Sequence, residues 1–357
     1  MLYAICCMLY AICHMLYADA RSHAPASERG GLRHIAYSIR PTAYSILHTA
    51  RILRTLSAYS NRQQMAPNTY LITGAAGFLG WNLGRMLIRG QSTVVGTWHH
   101  SKPDRCASGH CMQFDLEQDD AETLLAATSP DVVVHCAALA SRAACDADPD
   151  LARRVNVDAT RRLAEACAER DATFVFISTD LVFDGSRAPY REEDPVSPAS
   201  VYAETKAAAE LEVAGVCPKH YILRPALMYG QTAQDTPGSF LSWNVGRPAA
   251  GAAVQLYTNQ YRMPLYAPDL ARSIESLVKS NAGYGIYHCA GPERMTRYEI
   301  GLRIAEHFDL PAGLMEKTEL PVTDDTSLVT EKVLRATGVE FMGLDNGLRE
   351  IAQRIVF

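Results

Sequence analysis

The run "NTYLITGAAGFLGWNLGRMLIRG" (residues 68–90) begins with a short apolar segment that ends in glycines. Phe78, Leu79, Trp81, Leu83, Leu87 and Ile88 follow at helical spacing, so the run reads as strand, tight turn and helix. Gly74, Gly77 and Gly80 are spaced by three. Glycines so placed allow a sharp bend, let backbone approach a pyrophosphate and let the helix lie close on its strand, while the helix N-terminus faces the phosphates. Gly74, Gly77, Phe78, Leu79 and Gly80 are therefore candidate cofactor contacts. The same glycines also suit an ordinary strand-to-helix turn, and the neighbouring segments must decide.

Those segments are "STVVGTW", "CMQFDL", "DVVVHCAAL" and "ATFVFISTD", short β-rich runs separated by helical stretches such as "PDLARRVNVDATRRLAEACAER". Such alternation implies a Rossmann-type α/β fold, a doubly wound parallel sheet whose ligand sits beyond the C-terminal strand ends. Asp115 and Leu116 close one strand, where an adenine would lie. Ala137, Ala138 and Leu139 close the next, with side chains small enough to admit a ribose. About 20 residues past the glycines, where a carboxylate would grip a ribose 2′-hydroxyl, the chain instead reads "TWHHSK". His99, Ser101 and Lys102 suit a 2′-phosphate, which favours NADP(H) over NAD(H). No metal is expected, because adjacent histidines on a strand point to opposite faces and the cysteine spacing nearby is not that of a zinc site.

Tyr202 and Lys206, in "SVYAETK", share a helical face. A nearby ammonium favours a phenolate, so Lys206 is expected to draw Tyr202 toward working pH, where it can exchange a proton with a substrate oxygen. Thr179 ends the apolar strand upstream and supplies a hydroxyl for the same oxygen. Thr179, Tyr202 and Lys206 are the candidate catalytic residues, Tyr202 and Lys206 also touching cofactor.

The stretch "FISTDLVFDGSRAPYREEDPVSPASVYAETKAAAE" (residues 176–210) resembles the signature of the extended short-chain dehydrogenase/reductases, in the dTDP-4-dehydrorhamnose reductase-like, sugar nucleotide-binding branch. The resemblance runs from Met65 to the C-terminus and takes in Asn156, "LRPALMYG" and "YRMPLYAPDLARSI". It implies the same three catalytic residues, cofactor held by the glycine turn and the strand ends, Arg224 among them, and Asp180 near the substrate. The implied activity is NADPH-dependent reduction of a 4-keto nucleotide sugar. A related dehydratase group looks like S-T-D-E here, and Leu181 cannot remove a carbon-bound proton as that glutamate does. The reductases commonly carry tyrosine at 181, glycine at 203 and tryptophan near 227, where this chain has Leu181, Ala203 and Leu227. Two alternatives stay open: an NADP-binding regulatory protein resembling the methionine adenosyltransferase β subunit, and a nucleotide-sugar epimerase.

After Pro225 the alternation becomes irregular and rich in glycine and proline, as expected of a smaller C-terminal substrate-binding lobe. The boundaries read as a Rossmann domain over 65–225 and this lobe over 226–357, with some return to the core. Arg262 is the candidate diphosphate contact, since a guanidinium grips phosphate bidentately. Asp269 reads as a helix N-cap, and Ile300, Ile304 and Phe308 as the core face of a helix.

Residues 1–64 stand apart. They open with a seven-residue repeat, "MLYAICC MLYAICH MLYADAR", that copies residue identities and lacks an apolar/charged coiled-coil pattern. Seven arginines against Asp19 and Glu28 resemble a transit peptide; the simpler reading is a translated DNA repeat upstream of a start at Met65. Over all 357 residues the net charge is −5, so neither nucleic acid nor an anionic membrane is an expected partner. The expected partner is a nucleotide-sugar substrate, and the expected assembly a homodimer. Ten irregularly spaced cysteines and no long apolar run point to reduced thiols and a cytoplasmic location.

Overall fold

In the computed structural model the described residues are 68–100, 110–232 and 239–354. The repeat-rich segment 1–64, and Ser101 and Lys102, lie outside them. Seven strands form one sheet: β1 (Thr69–Thr73), β2 (Thr93–Trp98), β3 (His110–Gln113), β4 (Val132–His135), β5 (Thr173–Ile177), β6 (His220–Pro225) and β7 (Gly285–Cys289). Their spatial order is β7-β6-β5-β4-β1-β2-β3, and every pairing is parallel. The order reverses between β1 and β4, which opens a crevice at their C-terminal ends.

Both sheet faces are covered because the strands are apolar on both faces. Tyr70, Ile72, Val132, Val134, Val175, Ile177 and Leu223 point into one core, shared with Leu79, Leu83 and Leu87 of helix α1 (Phe78–Arg89). Leu71, Val133, Phe174, Phe176 and Ile222, the intervening residues, enter a second core on the opposite face. There they meet helices α2 (Ala121–Thr128), α3 (Ala159–Glu169) and α4 (Val201–Val216) through Leu124, Leu163 and Val213. Leu83 and Leu87 are fully buried, and burying each contributes roughly 1.5–3 kcal/mol.

The segment after Pro225 does two things. Helix α5 (Ala267–Ser280) packs Leu270, Ile274 and Leu277 against the first core, and β7 extends the sheet beside β6. The remainder builds small sheets, including the strand Gln260–Arg262, and helix α6 (Arg297–His307), whose Ile300 and Ile304 enter a separate cluster with Phe308 packed on it. Pro67–Phe357 forms one compact unit.

Two local expectations need correcting. Asp269 is not an N-cap: α5 begins after Tyr266, and the fully buried Asp269 carboxylate pairs with Arg272 and accepts the Met342 N–H at 2.6 Å. Among the described cysteines, Cys136, Cys145, Cys167, Cys217 and Cys289 are free thiols, whereas Cys111 is disulfide-bonded. Among the described residues no helix is long and apolar enough to cross a membrane.

Candidate active site

The glycine turn joins β1 to α1. Gly74 has φ +67°, and a Cβ there would lie 2.9 Å from the Ala137 backbone at the end of β4. A Cβ on Gly80 would lie 2.4 Å from Gly74 O. The missing side chains thus let the ends of β1 and β4 and the first turn of α1 converge, leaving a cradle of backbone that suits a pyrophosphate. Gly77 is the α1 N-cap, without a side-chain cap of its own. The turn is held from both sides, since Gly77 N–H donates to Gly74 O and Ala75 N–H to Thr97 O, each at 2.9 Å.

Ala137, Ala138 and Leu139 run along the neighbouring strand end. The Ala137 N–H donates to Thr73 Oγ1 at 3.2 Å, and Thr73 Oγ1 lies 2.7 Å from Nδ1 of the buried His135. Asn156 fixes Leu139 from both sides, its Oδ1 accepting the Leu139 N–H at 2.8 Å and its Nδ2 donating to Leu139 O at 3.1 Å. The same Nδ2 lies 3.1 Å from Thr205 Oγ1 on α4. A π-helical turn, Arg154–Asp158, interrupts the helical run and carries Asn156, and such bulges recur at functional sites. Sequence spacing alone gives no sign of this turn, and Asn156 stood out only by resemblance.

Beyond the C-terminal ends of β2 and β3, His99 Nε2 lies 3.1 Å from Asp115 Oδ2. The Glu117 backbone N–H holds the Asp115 carboxyl below its usual range against the opposing push of burial, and His99 adds to the lowering. Leu116 is partly exposed next to it and its carbonyl accepts from Arg162 at 2.7 Å. Ser101 and Lys102, expected beside His99, fall outside the described residues.

Tyr202 and Lys206 lie on α4, whose start is set by Ser200, its hydroxyl accepting the Ala203 N–H at 3.3 Å. Thr179 follows β5 and caps the short 3-10 turn Asp180–Val182. Thr179 Oγ1 accepts the Leu181 N–H at 3.2 Å and stands close enough to Tyr202 to act on its phenol, so strand end and helix meet there. Lys206 is 3 % exposed, with Nζ 4.0 Å from the centre of the Phe176 ring. The three expected catalytic residues are thereby brought together beyond β5, on the side of β4 away from the glycine turn.

Their electrostatics differ from the expectation. Burial first, then Asp180, push Tyr202 up to about 12, with only the Thr179 hydroxyl pulling down against them. Burial also lowers Lys206 to about 7, opposed by Glu210. Desolvation disfavours both charged forms, so the ammonium does not draw the phenol down; Tyr202 holds its proton at neutral pH.

Three further expectations also change. Arg224 does not reach the cofactor crevice: it is 2 % exposed, its Nη2 pairs with Glu210 at 2.6 Å and its Nη1 lies 3.3 Å from His288 Nε2. Arg262 is 5 % exposed, and its Nη1 and Nη2 are taken by the Asp324 carboxylate at 3.1 and 2.8 Å. Asp180 is buried as well, accepting from Thr326 Oγ1 at 2.6 Å with Arg262 Nε 4.0 Å away. Charges placed in a low-dielectric interior are paired, and here the pairing uses the groups expected to face substrate. The residue overlooked in the sequence is Arg297, at the first position of α6. It is half-buried over the Phe240 ring at 4.2 Å, and is lowered to about 10 by burial and by Arg262, with Asp180 and Asp324 pulling the other way. An arginine in "MTRYEI" carries no pattern that distinguishes it from a surface cation.

A family profile described as the RmlD substrate binding domain matches residues 68–336. The chain belongs to the RmlD substrate binding domain family. Within it, the chain is similar to a probable dTDP-4,6-dihydroxy-2-methyloxan-3-one 4-ketoreductase of Streptomyces antibioticus, 31% identical, covering 70% of this chain and 80% of that protein. Similarity also extends to methionine adenosyltransferase 2 subunit beta of Xenopus laevis, 29% identical over 71% of this chain and 75% of the relative. Among solved structures, a dTDP-4-dehydrorhamnose reductase from Clostridium acetobutylicum superposes with a TM-score of 0.66 at 25% identity, covering 81% of this chain and 100% of that one. These likenesses place the chain among RmlD-like proteins of the extended short-chain dehydrogenase/reductase type.

Proposed function

We propose that the chain is an NADPH-dependent reductase of a 4-keto nucleotide sugar. The observation that carries this reading is the meeting of Thr179, Tyr202 and Lys206 beyond β5, in line with the glycine turn beyond β1. The Gly74 and Gly80 positions, where a Cβ would fill the cradle, fit a dinucleotide pyrophosphate. Asp115 and Leu116 would border its adenine, Ala137 to Leu139 its ribose, and His99 with Ser101 and Lys102 a 2′-phosphate. The dinucleotide, when bound, supplies the hydride.

The chain's own residues do the rest. Tyr202, still protonated at neutral pH, gives its proton to the carbonyl oxygen as negative charge develops there. The Thr179 hydroxyl at the end of β5 positions the same oxygen, and Lys206, in its protonated form, places positive charge behind the phenol. Leu181 offers no base, which favours simple reduction over dehydration. Arg297, whose guanidinium lies over the Phe240 ring, is the better contact for the substrate's phosphates; Arg262 is taken up by Asp324 and lies beside Asp180.

The test is the chain begun at Met65, supplied with NADPH and a panel of dTDP-, UDP- and GDP-linked 4-keto sugars. NADPH absorbance should fall only when a keto sugar is added. Tight NADPH binding with no oxidation by any member of the panel overturns the reading. The similarity to methionine adenosyltransferase 2 subunit beta supports a second one, a dinucleotide-binding regulatory subunit. It predicts a stoichiometric complex with a methionine adenosyltransferase catalytic chain and no NADPH consumption.

A further inference from the structure

The helix that carries Tyr202 and Lys206 carries a third ionisable residue in the same row. Glu210 lies one turn beyond Lys206 and is 4 % exposed. Its carboxylate is held on three sides. Ser178 Oγ donates to it from the end of β5, immediately before Thr179. Arg224 on β6 donates through Nε at 3.0 Å and through Nη2 at 2.6 Å. Behind Arg224 stands His288 of β7, whose Nδ1 has no hydrogen-bond partner. A buried acidic side chain bonded in this way is costly to place in the interior unless it has work that a neutral residue cannot do.

We propose that Glu210 is a positioning residue for proton transfer: through Ser178 and Arg224 it ties the Thr179 strand end and β6 to α4, and it sets an acidic group one turn from Lys206 in the same helical row. The inference deepens the reductase reading and rests on it for the use made of Lys206. Its electrostatic half can be measured without substrate. Among the described residues no other carboxylate is a named influence on Lys206: the groups facing it are His135 at the end of β4, Cys136 just after it, and the Phe176 ring of β5. Glu210 is the leading influence that raises its proton affinity against burial.

The chain has six lysines, Lys102, Lys206, Lys219, Lys279, Lys317 and Lys332, so lysine labelled with 13C at Cε gives a spectrum simple enough to assign, with Lys206→Met identifying the resonance. The full chain is titrated as the parent, as Glu210→Gln, and as Glu210→Gln/Arg224→Gln, which leaves no unpaired buried guanidinium. The Lys206 midpoint should fall by about one pH unit or more in both variants, the size expected for loss of a neighbouring opposite charge. An unchanged midpoint in Glu210→Gln overturns the proposal. A fall confined to the single variant also overturns it, because the stranded Arg224 charge would then be the cause. In turnover assays the limb requiring the ammonium should move to lower pH by the same amount; a uniform loss at every pH would show a merely structural role. Since the titration needs no turnover, its outcome stands apart from whether the chain reduces any keto sugar.

Discussion

Gly80 and Gly246 are both helical glycines, and alanine should have opposite effects at the two. At Gly80 a Cβ would lie 2.4 Å from Gly74 O and 2.8 Å from Ala75 Cα, backbone atoms of the turn itself. Ordinary contact distances of about 3.5 Å require α1 to withdraw from the turn by roughly 1 Å. Alanine's better helix propensity returns about 1 kcal/mol, but overpacking of this kind costs about 1–3 kcal/mol. The expected net is a Tm lowered by up to roughly 8 °C. Cofactor affinity should suffer more, because the helix N-terminus and the cradle separate: NADPH binding by calorimetry should weaken at least about 10-fold. Gly246, in the helix Phe240–Ala249, is exposed and a Cβ there meets nothing within 4 Å. Gly246→Ala should raise stability by about 0.5–1 kcal/mol and leave NADPH binding unchanged. Parental NADPH affinity in Gly80→Ala, or equal stability losses in the two variants, would refute the reasoning.

Tyr202→Phe keeps the ring and removes the proton, so turnover should fall about 10²–10⁴-fold while calorimetric NADPH binding persists; undiminished turnover would remove Tyr202 from the chemistry. Lys206 sits at about 7 in the fold against an ordinary value of 10.5. Between those values the unfolded chain holds a proton that the folded chain has lost, so this group makes stability rise with pH across that window. Urea unfolding at pH 7 and pH 9 should show the rise in the parent and a smaller one in Lys206→Met. Arg262→Ala strands Asp180 and Asp324 beside each other and should destabilise by about 3–5 kcal/mol; parental stability in urea would mean the pair holds nothing together.

Much of the front half could be read from residue order because its signals are local. The glycines at 74, 77 and 80 and the apolar runs of β1, β2, β4 and β5 specify strand, turn and helix within a few residues, and parallel pairing follows from the helices between them. The Tyr202–Lys206 spacing was local too, being fixed by one helical turn. Asn156 was harder, since its use depends on a π-helical turn and on two partners, Leu139 and Thr205, far along the chain. The segment after Pro225 was least legible, because β7 and α5 are placed by packing against distant strands.

The sequence by itself determined the α/β alternation, the glycine turn and the placing of Tyr202 and Lys206 on one helical face. Only the tertiary structure decided which charges are free. Arg224, Arg262 and Asp180 look alike in sequence to groups that meet a ligand, yet each is matched in the fold by Glu210, Asp324 or Thr326, while Arg297 lies over the Phe240 ring. Charge state was decided in the same way, since Tyr202 and Lys206 are shifted chiefly by burial. Desolvation and ion pairing depend on what surrounds a group in space, and that neighbourhood is assembled from chain segments far apart in sequence.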